Sequence, residues 1–309
     1  MLSRTADHLY WLSRYLERAE TIARMLEAEH QLSLLPRTAE VAQRTRRATL
    51  VALGAHELYD SSTRRGNTDA LEFLAFDREY PVSIVSCIAR ARENARAVRG
   101  TVASELWETI NAAWLESRAF ERRSGPERIR GLFEFVRQRS HTIRGISVVA
   151  MLRDEAYHFM RLGTFLERAD GTARMLDARL ANLDDATRTD GSEWTVLLRT
   201  LSSFEAYRKL FREAVTPQRV VEMLVLRAEV PRSLRRCIIE VRDNIRSVAN
   251  SASLETERKA GALQAMLEFG RPEDLALADL SAYLTDKIER LTQIGDGIAR
   301  DFLISDVTA

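Results

Sequence analysis

The chain opens Met1-Leu2-Ser3-Arg4-Thr5-Ala6-Asp7-His8-Leu9-Tyr10-Trp11-Leu12-Ser13-Arg14-Tyr15-Leu16-Glu17-Arg18-Ala19-Glu20, and a related stretch, Arg161-Leu162-Gly163-Thr164-Phe165-Leu166-Glu167-Arg168-Ala169-Asp170, returns in its second half. In the first copy Leu9, Leu12, Leu16, Ala19, Ala23 and Leu26 recur at the i, i+3, i+4, i+7 spacing of a helix with one buried face. Phe159, Leu162, Leu166, Ala169, Ala173 and Leu176 repeat the stripe 150 positions later. Laid without a gap, residues 1–27 and 151–177 share 13 identities in 27 positions, where about two are expected from such a composition.

The same register holds further on. Glu72/Glu222, Leu74/Leu224, Glu79/Glu229, Pro81/Pro231, Ser83/Ser233, Cys87/Cys237, Ile88/Ile238, Arg92/Arg242, Asn94/Asn244, Arg96/Arg246 and Val98/Val248 all match. Two blocks in one register predict a duplicated unit. A period of 150 is too long for a solenoid, so the expectation is two homologous helical-bundle halves, 1–150 and 151–309, packed about a pseudo-two-fold axis. Helices are expected near 39–65, 102–120, 126–146, 190–214, 217–228, 231–250, 255–268 and 275–304. Another follows Pro81, where Ile84, Ile88, Ala91, Ala95 and Val98 form a stripe and the proline suits a first turn. Turn signals fall at Pro36, Gly66-Asn67, Gly125-Pro126, Asp184-Asp185, Asp190-Gly191 and Gly270.

Composition agrees with an all-α fold. In 309 residues there are only 13 glycines and 6 prolines, so few positions interrupt long helices. Forty-six basic residues balance 45 acidic ones, which leaves no global field to favour nucleic acid or an anionic membrane. Only Lys209, Lys259 and Lys287 are lysines; the remaining arginines suit bidentate pairing with carboxylate or phosphate. No apolar run approaches eighteen residues and the N-terminus carries no apolar leader, so a cytoplasmic protein is expected. Cys87 and Cys237 read as small core residues.

Charged and polar residues present in both copies are the candidates for function: Glu17, Arg18 and Arg24 with Glu167, Arg168 and Arg174 on the opening helices, and Arg92, Asn94 and Arg96 with Arg242, Asn244 and Arg246 on the helices after the prolines. At about 100° per residue, Arg18 falls beside the apolar stripe, while Glu17 and Arg24 fall on the opposite side. The first helix is therefore expected to be contacted on two faces. Arg92 and Asn94 lie at the edges of their stripe and are expected to point inward. A buried arginine needs a partner. One reading has Glu17 or Glu167 neutralising Arg92 or Arg242 across a helix packing; the other has these groups converging where the halves meet, to line a cleft for an anionic or zwitterionic ligand such as a peptide carboxylate.

Other chemistry finds little support. Glu155-Ala156-Tyr157-His158 is half of a di-iron bundle motif, but Thr5-Ala6-Asp7-His8 lacks its glutamate, so no metal is expected and both histidines read as core residues. Gly295-Asp296-Gly297 is no dinucleotide fingerprint, and neither a phosphate loop nor a nucleophile elbow occurs. No cofactor is expected.

The opening twenty residues, together with Ala91-Arg92-Glu93-Asn94-Ala95-Arg96-Ala97-Val98-Arg99, Leu106-Trp107-Glu108, Asn111 and Arg161 to Asp170, resemble the bacterial Alpha-E domain proteins, an all-helical group named for a Glu-Arg motif. The resemblance covers nearly the whole chain. It places the motif on Glu17-Arg18 with an echo at Glu167-Arg168, and departs at His8, where relatives more often carry a small polar residue. It implies partners, a circularly permuted ATP-grasp ligase and a transglutaminase-like protein, and a peptide or protein substrate. The function expected is that of a helical accessory protein that binds the ligase or its peptide substrate and performs no chemistry. The alternative is an enzyme in which Glu17 or Glu167 is a general base and a neighbouring arginine stabilises an oxyanion.

Overall fold

The computed structural model describes residues 1–34, 38–63, 69–123, 125, 127–180 and 191–303. The turn signals at Pro36, Gly66-Asn67, Pro126, Asp184-Asp185 and Asp190 lie outside the described residues. Among those described the protein is all-helical, with fourteen α-helices and no strand. They are α1 (Ser3–Ser33), α2 (Ala39–Ala52), α3 (His56–Thr63), α4 (Ala70–Phe76), α5 (Ile84–Ala97), α6 (Ser104–Arg122), α7 (Glu127–Ala150), α8 (Glu155–Leu180), α9 (Gly191–Thr200), α10 (Phe204–Phe211), α11 (Pro217–Leu226), α12 (Leu234–Ser247), α13 (Leu254–Glu268) and α14 (Leu280–Phe302). A 3₁₀ turn, Pro272–Leu275, precedes the last helix.

α1 and α8 lie at the centre and pack most extensively on one another. Most of each stripe is closed off from solvent: Leu9, Leu12 and Leu26 on α1, and Leu162, Ala173 and Leu176 on α8, have no measurable exposure or nearly none, while Leu16 is half-buried. Burying each of the leucines contributes about 1.5–3 kcal/mol. α5 and α7 flank α1, while α12 and α14 flank α8. α2 reaches across to α8, and α9 reaches across to α1. Both sides of α1 are thereby covered, so Glu17 and Arg24 are as buried as the leucines opposite them. Two apolar clusters result, one around Ile22, Phe73, Ile84 and Leu132, the other running from Leu9 and Leu12 through Phe159, Met223, Ile238 and Ile298.

Two expected helices are broken. The stretch 39–65 divides into α2 and α3 at Gly54, whose φ of +63° is a left-handed turn that glycine adopts without a Cβ penalty. The stretch 190–214 divides into α9 and α10, with Ser202 at φ +53° in the link. α4 was not expected; Asp69 starts it by accepting hydrogen bonds from the Leu71 and Glu72 amides. The prolines do not open helices at 81 and 231. They sit in the preceding turns, and the caps are Ser83 and Ser233, whose hydroxyls accept from the Ser86 and Arg236 amides.

Candidate functional site

Glu17-Arg18 and Glu167-Arg168 meet at the middle of the α1–α8 crossing and exchange partners. Arg18 grips Glu167, Nε to Oε1 at 2.5 Å and Nη2 to Oε2 at 2.8 Å. Arg168 grips Glu17 through the same two nitrogens at 2.8 and 3.0 Å. Both pairs have the parallel, two-bond geometry in which guanidinium and carboxylate bind most strongly. The backbones approach closely enough for this because small residues flank the crossing. A Cβ built on Gly163 would stand 2.2 Å from the Tyr10 carbonyl oxygen, and one on Gly171 would stand 2.9 Å from the Thr21 side chain.

Beyond this exchange the two pairs differ. Glu17 receives two further arginines, Arg144 at 2.9 Å and Arg232 at 3.2 Å. Both also hold Glu20, at 2.5 and 2.7 Å, and Arg24 approaches Glu20 at 2.8 Å. Arg24 is locked in turn by donating to the Thr200 carbonyl and to Ser202 Oγ. Burial alone would push the Glu17 and Glu20 carboxyls up. The surrounding guanidiniums outweigh it for both, against the repulsion Glu17 exerts on Glu20, and hold both below the usual carboxylate range. Burial brings Arg232 down to about 10, against the pull of the two glutamates, so it remains charged at neutral pH. Four arginines thus enclose two carboxylates, and a water-sized hole of about 30 Å³ adjoins them, beside Ser13, Arg144 and Ser147.

Glu167 has one further arginine, Arg14, whose Nε donates at 2.7 Å. Arg14 also donates to the Tyr10 hydroxyl at 3.0 Å. Burial would raise the Glu167 carboxyl, but Arg14 and Arg18 hold it low. Next to this pair Arg174 donates to Asp170 at 2.7 Å and to the Ala52 carbonyl at 3.4 Å. Here the surface opens. A cleft of about 220 Å³ runs between α1, α8 and the end of α2, past Ile22, Leu53, Tyr80 and Val82. A second of about 230 Å³ runs between α1, α8 and α14, past Trp11, Arg14, Thr292 and Asp296. Arg18, Asp170 and Arg174 line both.

The remaining sequence candidates stand elsewhere. Arg92 does not meet Glu17 or Glu167. It bonds Asn111 at 3.1 Å and its neighbour Glu93, with its guanidinium against the Trp114 ring. Arg242 bonds Gln264 at 2.9 Å. Arg96 and Arg246 are exposed and pair with Glu93 and Glu257. The expectation that Glu17 or Glu167 neutralises Arg92 or Arg242 is therefore corrected: these arginines lie on the outer flanks of α5 and α12, facing α6 and α13, because their apolar neighbours take the side toward α1 and α8. Asn94 and Asn244 do point inward. Each Oδ1 lies 2.7 Å from the Nδ1 of His8 or His158. Each amide nitrogen donates one turn back, to the Arg90 or Glu240 carbonyl, which leaves Oδ1 as acceptor and puts the histidine proton on Nδ1. Glu155 bonds the N-terminal ammonium at 2.6 Å rather than sharing a site with His158.

Sequence reasoning missed five members of the site. Glu20 and Asp170 stand 150 positions apart, an acid at each, which is a usable signal of likeness short of identity. Arg14, Arg144 and Arg232 have no arginine 150 positions away, so comparing the copies could not find them.

A carboxylate held ionised by two or three arginines is a poor proton acceptor near neutrality. Both cysteine thiols are pushed up to about 12 by burial, with the Arg18 or Arg168 charge pulling the other way, so neither offers a thiolate. No helix among the described residues is long and apolar enough to cross a membrane.

Comparison with known proteins extends this picture. An uncharacterized protein of Mycobacterium bovis and uncharacterized proteins of two strains of Mycobacterium tuberculosis are each 24% identical to the chain over 297 residues. The match covers 88% of this chain and 33% of theirs, so the chain spans about a third of the length of these relatives. No solved structure matches it. Residues 1–303 match the Alpha-E family, described as a predicted alpha-helical domain with a conserved ER motif. With that match over nearly its whole length and a Glu-Arg pair at the centre of each long helix, the chain belongs to the Alpha-E family.

Proposed function

We propose that the protein is a non-catalytic helical partner in an ATP-grasp amide-ligase system, working in the cytoplasm and holding the ligase or its peptide substrate in the Arg18/Arg174 cleft. One observation carries this reading: at the Glu167 pair the arginines of the central crossing border open clefts of about 220 and 230 Å³. Guanidiniums fixed by carboxylates and still facing solvent suit recognition of a carboxylate. The link to a ligase and a transglutaminase-like protein rests on the family resemblance.

We also infer that the chain is a duplicated unit with a pseudo-two-fold axis through the α1–α8 crossing. Across such an axis equivalent residues face one another and contacts are reciprocal. Supporting this, Gly163 faces Ser13 and Gly171 faces Thr21, each pair 150 apart. Arg18 and Arg168 swap glutamates, and Arg24 and Arg174 each reach a carbonyl at the end of the helix that crosses over, Thr200 or Ala52.

Co-purification with the ATP-grasp protein tests the function, comparing wild type with Arg174→Glu. Retention of the ligase or its peptide is expected to fall at least tenfold while the melting temperature holds. Unchanged retention overturns the proposal. Turnover by the purified protein, lost in Glu167→Gln with binding intact, would install the enzyme reading in its place.

A further inference from the structure

The two Glu-Arg exchanges have diverged, and the difference identifies a ligand class. Around Glu17 the buried Arg232, from the turn before α12, and the partly exposed Arg144, from α7, take up most of the space and leave the hole of about 30 Å³. At the position 150 residues before Arg232 stands Val82, which holds no charge and lines the open cleft instead. The first exchange is therefore sealed, with four guanidiniums around two carboxylates. The second is open.

The open side is balanced in charge. Arg14, Arg18 and Arg174 face Glu167, Asp170 and Asp296 along the two clefts. A multiply charged anion such as phosphate calls for an excess of positive charge, which this lining does not supply. A ligand carrying one positive and one negative group leaves the balance intact. The donors for its negative end exist: each guanidinium has five N–H groups, and Arg18 spends only its Nε/Nη2 edge on Glu167, Arg174 its Nε on Asp170 and Nη1 on Ala52. An acceptor for the positive end exists as well, since Asp296 is exposed on the α14 wall.

The two arms differ in polarity. That toward α2 is walled by Ile22, Met25, Leu53, Tyr80 and Val82, while that toward α14 presents Arg14, Thr292 and Asp296. Gly54, in its left-handed turn, has nothing within 4 Å of where a side chain would begin, which keeps the apolar mouth clear. Each arm alone is smaller than the range of about 300–1,000 Å³ usual for small-molecule sites, but Arg18, Asp170 and Arg174 line both, so a ligand seated on these side chains borders each arm.

We propose that this double cleft binds a short zwitterionic peptide with an apolar side chain: carboxylate on Arg18 and Arg174, side chain in the α2 arm, ammonium toward Asp296. The assignment rests on the binding reading above and narrows it to one exchange and one chemistry. The sealed Glu17–Arg168 exchange takes no ligand and serves as a structural clamp.

Calorimetric titration of the whole protein tests this with leucyl-leucine, its N-acetyl and C-terminal amide derivatives, glycyl-glycine and inorganic phosphate. Leucyl-leucine is expected to bind, with each blocked derivative and glycyl-glycine at least tenfold weaker. Arg174→Ala and Asp296→Asn, both in partly or fully exposed positions and checked by melting temperature, are expected to weaken it at least fivefold, while Arg246→Ala leaves it unchanged. Phosphate binding as tightly as the dipeptide, or blocked derivatives binding equally well, overturns the proposal. If no probe binds but the ligase is still retained in an Arg174-dependent way, the cleft takes a folded partner, and only the ligand assignment fails.

Discussion

Glu17 is the residue on which most of the buried charge depends, since three arginines on three other helices or turns converge on it. Glu17→Gln takes from the buried Arg168 the carboxylate it grips and leaves the buried Arg232 with Glu20. Breaking a buried pair in this way costs about 3–5 kcal/mol, and urea denaturation is expected to show a loss of that size. Arg96→Ala removes an exposed pair with Glu93 and is expected to change stability by less than about 1 kcal/mol. Acid adds a second check. Glu17, Glu20 and Glu167 are all held below their usual value near 4.5, so in acid the unfolded chain takes up protons that the folded one refuses. The stability they contribute is complete above about pH 4.5 and declines as pH falls below it. Urea midpoints taken from pH 7 to pH 3 should drop steeply for wild type and less steeply for Glu17→Gln; equal slopes would show that these carboxylates do not govern acid unfolding. At this scale the sequence was partly legible. Charges that recur 150 positions apart led to Glu17, Arg18, Arg24 and their counterparts, whereas Arg144 and Arg232, with no arginine at that offset, left no mark of this kind.

Helices were easier to read than their ends. The stripes of α1 and α8 were visible because 3.6-residue periodicity survives in any long, half-buried helix. The break at Ser202 was not, because nothing in the local pattern announces a left-handed serine; the break at Gly54 falls on a glycine, the residue that takes this conformation most readily, but within an otherwise helical stretch. Arg92 and Arg242 were misplaced for a related reason: a residue at the edge of an apolar stripe can turn to either flank, and only the neighbouring helix decides which. The crossing of α1 and α8 supplies a prediction of its own. Gly163→Ala puts a methyl group against the Tyr10 carbonyl, so the helices must separate. Overpacking of this kind costs about 1–3 kcal/mol or more, and because the same movement stretches both Glu-Arg exchanges, the measured loss of stability is expected at or above the top of that range. Gly145→Ala on α7, where a new Cβ would meet nothing within 4 Å, should be neutral or mildly stabilising.

For the whole molecule, the central pair joins the two halves of the chain. α1 completes its buried surface on α8, and α2 and α9 each lie across the opposite long helix. Residues 1–150 expressed alone would expose that apolar face, leave Arg18 without Glu167 and leave Glu17 with Arg144 but without Arg168 and Arg232. The isolated half is expected to lack a cooperative thermal transition, and co-expression with 151–309 to restore one. A sharp transition in either half alone would show that the central interface is dispensable. All-helical architecture was legible throughout from the scarcity of glycine and proline. Which exchange would be sealed and which open was not, since that turns on single positions such as Arg232 and Val82 brought together from distant parts of the chain.

The near-contact of α1 and α8 at Gly163 and Gly171 has a mechanical consequence. At Gly163 backbone lies against backbone, and at Gly171 the Thr21 side chain fills the gap, so the central pair has little room to slide or rock. Any accommodation to an incoming molecule has to come from the periphery, by movement of α14 or of the α2–α3 corner around Gly54, with the axle itself standing still.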